Sequence, residues 1–219
     1  EAGALCQERK IIFHTDAVQW FGKQPFENIQ QFNADLVSIC AHKFHGPKGA
    51  GALYIKSPLH PDPILFGGGH ENDRRAGTEN LPAIMGLVSA LTKFVKPPVF
   101  DEKLLKPMAG RLIECIEQIP GCEIVSPRNH SLPNTVSFTV RGSEGITLMA
   151  GLDMEGICAS SGSACSAGSL EPSHVVLATG RAADANSLVR FSLGRGTTAA
   201  EVDFVCAILP EVVRRAQPG

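Results

Sequence analysis

Apolar residues run almost without interruption over three short stretches, Ile11 to His14, Ala34 to Cys40 and Gly51 to Lys56. Runs of this length predict strands buried on both faces, as in an α/β sheet. Residues 1–10 read as the end of an amphipathic helix that precedes the first run. Polar residues gather just past the carboxyl ends of the first two runs, at Thr15-Asp16-Ala17-Val18-Gln19 and at Ala41-His42-Lys43. Open α/β sheets bind ligands at that edge. Residues 58–77 are rich in Gly, Pro and His and predict a long loop. Thr78-Glu79-Asn80 then opens a helix that tolerates Pro82 in its first turn. Ile84, Leu87, Val88 and Leu91 are its expected buried face, and Pro97-Pro98 interrupts it.

The texture changes in the second half. A helical pattern from Leu104 to Ile119 ends at Pro120-Gly121. Strand-like runs follow at Cys122 to Val125, Thr135 to Val140 and Leu188 to Ser192, with a helix near Gly145 to Leu152. This is the pattern of a small α+β domain. The expected organisation is therefore an α/β domain over residues 1–100, which the resemblance described below makes part of a larger one, and a small α+β domain over 101–219, without internal repeats.

Composition narrows the function classes. Hydrophobic residues are 43% and charged residues 19%, enough apolar surface to exclude disorder as the dominant state. The net charge of −2, without a basic run, argues against nucleic acid as a partner. The longest nearly uncharged helical stretch, Leu81 to Thr92, is far short of the ~20 residues of a membrane span, and no signal peptide is visible. Seven cysteines without framework spacing predict reduced thiols in a cytoplasmic compartment. The chain opens on Glu1, not Met, which leads us to expect a longer polypeptide or a removed segment.

Asp16 and Gln19 by themselves read as a helix cap. His42-Lys43 at the equivalent edge of the next strand changes that reading. A lysine near a desolvated sheet edge becomes a nucleophile towards aldehydes. An Asp facing a pyridinium nitrogen, with a Schiff-base Lys, is the protein apparatus of a pyridoxal phosphate enzyme. Ala159 to Ser169 is eleven consecutive residues drawn from Ala, Ser, Gly and Cys alone. Such a segment has little surface to anchor it, and Cys165 within it is a candidate nucleophile. His70 follows three glycines but lacks further ligands at familiar spacing, so no metal site is predicted. Gly46 and Gly49 suit tight turns.

The ordered motifs carry a resemblance. They are His14 to Gln19, Ala41 to Gly49, Gly67-Gly68-Gly69-His70-Glu71, Arg75-Ala76-Gly77-Thr78, Ser160 to Ser166, Ser169 to Ser173 and Val189 to Arg195. Together they resemble a cysteine desulfurase of the type that feeds iron–sulfur cluster assembly, within the class V aminotransferase-like family. The resemblance covers the whole chain but only the C-terminal half or so of such enzymes. It implies the C-terminal part of a pyridoxal phosphate fold-type-I large domain, followed by a small α+β domain. It implies pyridoxal 5'-phosphate as cofactor, L-cysteine as substrate, a homodimer and an iron–sulfur scaffold protein as sulfur acceptor. Lys43 would hold the cofactor covalently, Asp16 would pair with its ring nitrogen and Gln19 with its ring oxygen. His42 would contact the phosphate end, and Thr78 the phosphate in the partner subunit. Arg190 would bind the substrate carboxylate, and Cys165 would take the sulfur. Cys40 stands where such enzymes carry a serine. The upstream phosphate turn and ring-stacking histidine have no counterpart in these residues, so the chain alone is not expected to be a competent desulfurase. Rival readings are a selenocysteine lyase or related pyridoxal phosphate enzyme, and, from another class, a non-catalytic fragment or binding module.

Overall fold

The computed structural model describes residues 1–96, 98, 100–162 and 172–217, and they divide into two units, Glu1–Val99 and Phe100–Gly219. In the first unit, helix α1 (Ala2–Glu8) unwinds through Lys10, whose backbone is left-handed at φ 56°. The Ile11 amide closes that end on the Cys6 carbonyl. The sheet ladder consequently starts later than the apolar run predicts. Strand β1 is His14–Asp16, and Ile11 and Ile12 stay exposed.

Strand β1 pairs parallel with β2 (Leu36–Cys40), and β2 pairs antiparallel with β3 (Gly51–Ile55), in the order β1-β2-β3. The register sets Asp16 beside Ser38 and Cys40 beside Gly51. Side chains alternate along strands, so His14, Asp16, Ser38 and Cys40 share one face, and Thr15, Val37 and Ile39 the other. Val37 is buried, and Ile39 packs on a cluster of Phe21, Ala41, Phe44, Leu87, Ala90 and Val95. On the first face His14, Asp16 and Leu53 are exposed. Within this unit the strands are thus packed on one face and not on both. The open face carries carboxylate, imidazole and hydroxyl groups, whose burial without partners is costly.

Helix α2 (Leu81–Phe94) is capped by the Asn80 side chain, which accepts from the Ala83 amide. Its packed residues are Leu87, Ala90, Leu91 and Phe94, while Ile84 and Val88 are exposed. The buried stripe is rotated from the expected one because Gly86 lies against Pro47. A Cβ at Gly86 would sit 2.8 Å from the Pro47 ring, which fixes the side of α2 that faces the sheet.

The second unit contains α3 (Glu102–Glu117), β4 (Cys122–Ile124), β5 (Thr135–Val140), α4 (Gly145–Met154), the short α5 (His174–Ala178), β6 (Val189–Ser192) and α6 (Ala199–Ala216). Its strands form an antiparallel sheet in the order β4-β5-β6. Val136, Phe138 and Val140 of β5 are fully buried in one core with Leu112, Ile116, Leu152 and Leu209. The sequence pattern alone did not predict α6. It begins at a capping box, in which Thr198 and Glu201 satisfy each other's backbone amides. Among the described residues no helix is long and apolar enough to cross a membrane. Cys165 lies outside the described residues.

Asp35 ties the starts of β1 and β2 to the end of β3. Its carboxylate accepts from the Phe13 amide at 3.0 Å and lies 3.4 Å from Lys56 Nζ. Its amide donates to the Phe13 carbonyl, and its carbonyl accepts from the Lys56 amide. The Phe13 hydrogen bond, partly opposed by desolvation and helped by Lys56, holds the carboxyl below its usual 3.8. A carboxyl whose folded pKa is depressed stabilises the fold above its unfolded value. That contribution disappears as pH falls through the folded value. Asp35→Asn is therefore expected to lower the urea midpoint at neutral pH and to flatten its fall from about pH 5 downward. Parallel acid profiles for the two proteins would contradict this.

Candidate active site

Because β1 and β2 are parallel, their carboxyl ends open on one edge of the sheet. Asp16 is the last residue of β1. Its Oδ1 accepts from the Val18 amide at 2.9 Å, which fixes the carboxylate in an Asx turn. The Ala17 amide donates to the Ser38 carbonyl at 3.0 Å and draws this turn onto β2. Ala17 is buried, and its carbonyl accepts from Trp20 and Phe21. Phe21 is anchored edge-on against Phe26 and Phe44, with centroids 4.8 and 5.4 Å away. Asp16 thus caps a compact turn and not an α-helix.

Gln19 lies on that turn and is exposed. Its Oε1 accepts from Nζ of Lys23, which is buried. With its oxygen so occupied, Gln19 retains its amide N–H2 as the donor end. Beside Asp16, His14 Nε2 lies 2.8 Å from Ser38 Oγ and joins the two strands across the open face. Lys23 and Ser38 are absent from the residues picked out by sequence, and His14 opens a motif there without a role of its own. The i,i+4 spacing of Gln19 and Lys23, and the period-2 alternation of β1 and β2, are the signals that point to them.

At the end of β2 the chain enters a 3-10 turn, Ala41–Phe44. Ala41 and Phe44 are completely buried and hold the turn at both ends. Between them His42 is exposed and Lys43 half-buried. Cys40 Sγ lies 2.7 Å from His42 Nδ1. The turn closes through His45, which is left-handed at φ 66°, and through the Gly46 amide, which donates to the Ala41 carbonyl at 2.9 Å. A Cβ on Gly46 would lie 2.8 Å from the Ala41 Cβ. Asp16, Gln19, His42 and Lys43 are therefore all set at or just past the carboxyl edge of one parallel strand pair. Together they offer a fixed carboxylate, an amide donor, an imidazole and a primary amine.

Thr78 is exposed in the loop ahead of α2, and among the described residues no hydrogen bond joins it to these four. In the same loop, among the described residues, His70 Nδ1 and Arg74 Nε are buried without a hydrogen-bond partner.

In the second unit Arg190 lies on β6 opposite Ser137 of β5. Its backbone is bridged to Ser160, with amide-to-carbonyl distances of 3.1 and 2.6 Å. Among the described residues Arg190 Nε is buried without a hydrogen-bond partner. An unmet buried donor is costly, and a guanidinium fork is matched by a carboxylate.

Residues 1–205 match the family described as aminotransferase class-V. A cysteine desulfurase IscS from Clostridium botulinum is 43% identical over 219 aligned positions, covering 98% of this chain and 55% of that protein. The structure superimposes on a NifS-like protein from Rickettsia africae with a TM-score of 0.85 at 30% identity, covering 97% of this chain and 56% of that one. It matches SspA in complex with cysteine with a TM-score of 0.64 at 30% identity, covering 90% of this chain and 54% of the other. The chain spans about half the length of the curated relatives it matches.

The tightness of the turn that carries Lys43 has a measurable consequence. Gly46→Ala forces a methyl group into Ala41 and is expected to cost about 1–3 kcal/mol by overpacking. Gly49→Ala has open space around it but keeps a φ of 83°, which costs about 1 kcal/mol. Urea denaturation of both variants should rank Gly46→Ala as the more damaging. The reverse order would mean that the turn relaxes freely.

Proposed function

Since the chain belongs to the class-V aminotransferase family, we propose that it forms part of a pyridoxal phosphate-dependent cysteine desulfurase, which converts L-cysteine to L-alanine and leaves the sulfur as a persulfide on Cys165. The mixed α/β fold matches NifS-like structures over about half their length, so it comprises only part of the fold-type-I large domain. The observation that carries the reading is the gathering of Asp16, Gln19, His42 and Lys43 at one sheet edge.

The donor set fits the cofactor. Asp16, oriented by the Val18 amide, suits a protonated ring nitrogen. The donor end of Gln19 suits the ring oxygen, the Lys43 amine suits the aldehyde, and His42 with Cys40 suits the phosphate end. The unmet Arg190 Nε suits the carboxylate of the substrate. When bound, pyridoxal phosphate supplies an electron sink for the amino-acid substrate. Asp16 keeps a proton on the ring nitrogen, because its negative charge favours the charged ring. Lys43 Nζ would hold the cofactor at its aldehyde and would carry protons at the reacting carbon. The Cys165 thiolate attacks the substrate sulfur; an S–S bond forms as the C–S bond breaks, and the C–S electron pair stays with the carbon fragment that leaves as alanine.

The reading extends to assembly and sulfur delivery. A twofold homodimer in which Thr78 reaches the partner subunit's cofactor phosphate would engage the same loop that holds His70 Nδ1 and Arg74 Nε without partners and exposes Ile64 and Phe66. An iron–sulfur scaffold protein would take the persulfide sulfur, in a reducing cytoplasmic setting that suits seven cysteines without framework spacing.

The test uses the full-length protein with L-cysteine and pyridoxal phosphate. Alanine should be released, and peptide mass mapping should find the extra sulfur on Cys165. Cys165→Ser should bind cysteine but make no persulfide. Asp16→Asn should lower kcat by about 100-fold or more, the usual cost of losing one preorganised charge at the reacting group. A persulfide on Cys158, or sulfide release unaffected by Cys165→Ser, would refute the assignment.

A further inference from the structure

Two cysteines of the second unit meet outside the proposed site, where α3 packs on α6. Cys115 Sγ donates to the Cys206 carbonyl at 3.5 Å, and Cys206 Sγ lies 4.0 Å from the Arg111 carbonyl. Each thiol thus points into the backbone of the opposite helix. The surrounding contacts keep the two helices in step. Arg111, one turn before Cys115, is paired with Asp203, about one turn before Cys206. Leu112 and Leu209, next to the pair, are fully buried in the shared core. Neither cysteine is sealed from solvent. Burial, together with the adjoining Cys115 thiol, pushes the Cys206 thiol up to about 12.

We propose that Cys115 and Cys206 are a modification site: under oxidising conditions they form a reversible disulfide that staples α3 to α6, with a low-molecular-weight disulfide such as oxidised glutathione as the oxidant. The exchange balances in two steps. One protein thiolate attacks a glutathione sulfur, which forms a mixed disulfide and releases one glutathione thiol. The second protein thiolate then attacks the protein-bound sulfur and releases the other. One S–S bond is broken and one is made, the two cysteine protons pass to the departing thiols, and the two-electron oxidation of the cysteines equals the reduction of glutathione disulfide. The two thiols already adjoin across the helix contact, so closing the bond requires the sulfurs to turn from the backbone carbonyls towards each other. It would join residues 91 positions apart, and a long closed loop is where a cross-link most restricts the unfolded chain. The high pKa of Cys206 keeps its thiolate scarce at neutral pH, so exchange is slow and the pair stays reduced without sustained oxidation.

The experiment uses the folded full-length protein. It is incubated with oxidised glutathione, unreacted thiols are blocked with N-ethylmaleimide in denaturant, and the digest is mapped without reductant. The expected product is an intramolecular peptide pair joining Cys115 and Cys206, abolished by dithiothreitol and absent in Cys115→Ser and in Cys206→Ser. The oxidised protein should melt about 5 °C or more above the reduced one. Mapping of the unsubstituted protein decides the question even where a variant folds poorly. Cys115 and Cys206 each blocked by maleimide, each carrying its own glutathione, or joined only after unfolding would overturn the proposal.

Discussion

The parallel pairing of β1 with β2 is the constraint on which the proposed site depends. Its register sets Asp16 beside Ser38, and Asp35 holds that register at the opposite end through Phe13 and Lys56. A slip of one residue would carry Asp16 to the packed face, among Val37 and Ile39, and turn every side chain of β1 over with it. The same pairing brings the carboxyl ends of both strands to one edge. Without it the Asp16 turn and the Lys43 turn would have no common origin.

Apolar anchoring then positions the polar groups. Lys43 and His42 are carried between Ala41 and Phe44, both fully buried, so the turn is held by packing while its functional side chains stay accessible. Phe44 belongs to the aromatic cluster that fixes Phe21 on the Asp16 turn. One cluster on the back of the sheet therefore supports both turns on its edge. Lys23, buried behind Gln19, adds a polar version of the same device. In the second unit the core built on β5, α3 and α6 serves a comparable purpose for Arg190. Its strand is firmly paired on one side with β5, and its Nε is left with an unmet demand.

How much of this is legible in the sequence depends on which force decides each element. Continuous apolar runs locate β2 and β3 to within two residues; packing of Val37 and Ile39 decides β2, and β3, whose first three residues are exposed, follows by pairing with it. The first run misleads. Ile11 and Ile12 are apolar, but the Ile11 amide is used to close α1, and the strand begins three residues later. The buried stripe of α2 is displaced because a backbone contact of Gly86 with Pro47, which no hydropathy pattern encodes, sets its rotation. Helix α6 was readable from Thr198 and Glu201 as a capping box, a signal carried by two polar residues outside the apolar pattern. Asp16, Gln19, His42 and Lys43 were legible as chemistry because unusual residue types recur at equivalent strand ends. Lys23 and Ser38 act through neighbours, and only the register and the turn reveal them.

The central claim is that the sheet edge carrying Asp16 and Lys43 receives pyridoxal phosphate through the Lys43 amine. The most direct measurement is borohydride reduction of the full-length protein in the presence of pyridoxal phosphate, followed by peptide mapping of the reduced pyridoxyl group. The account predicts the group on Lys43, with labelling lost in Lys43→Ala. A pyridoxyl group found on Lys48 or Lys56 in place of Lys43 would contradict it.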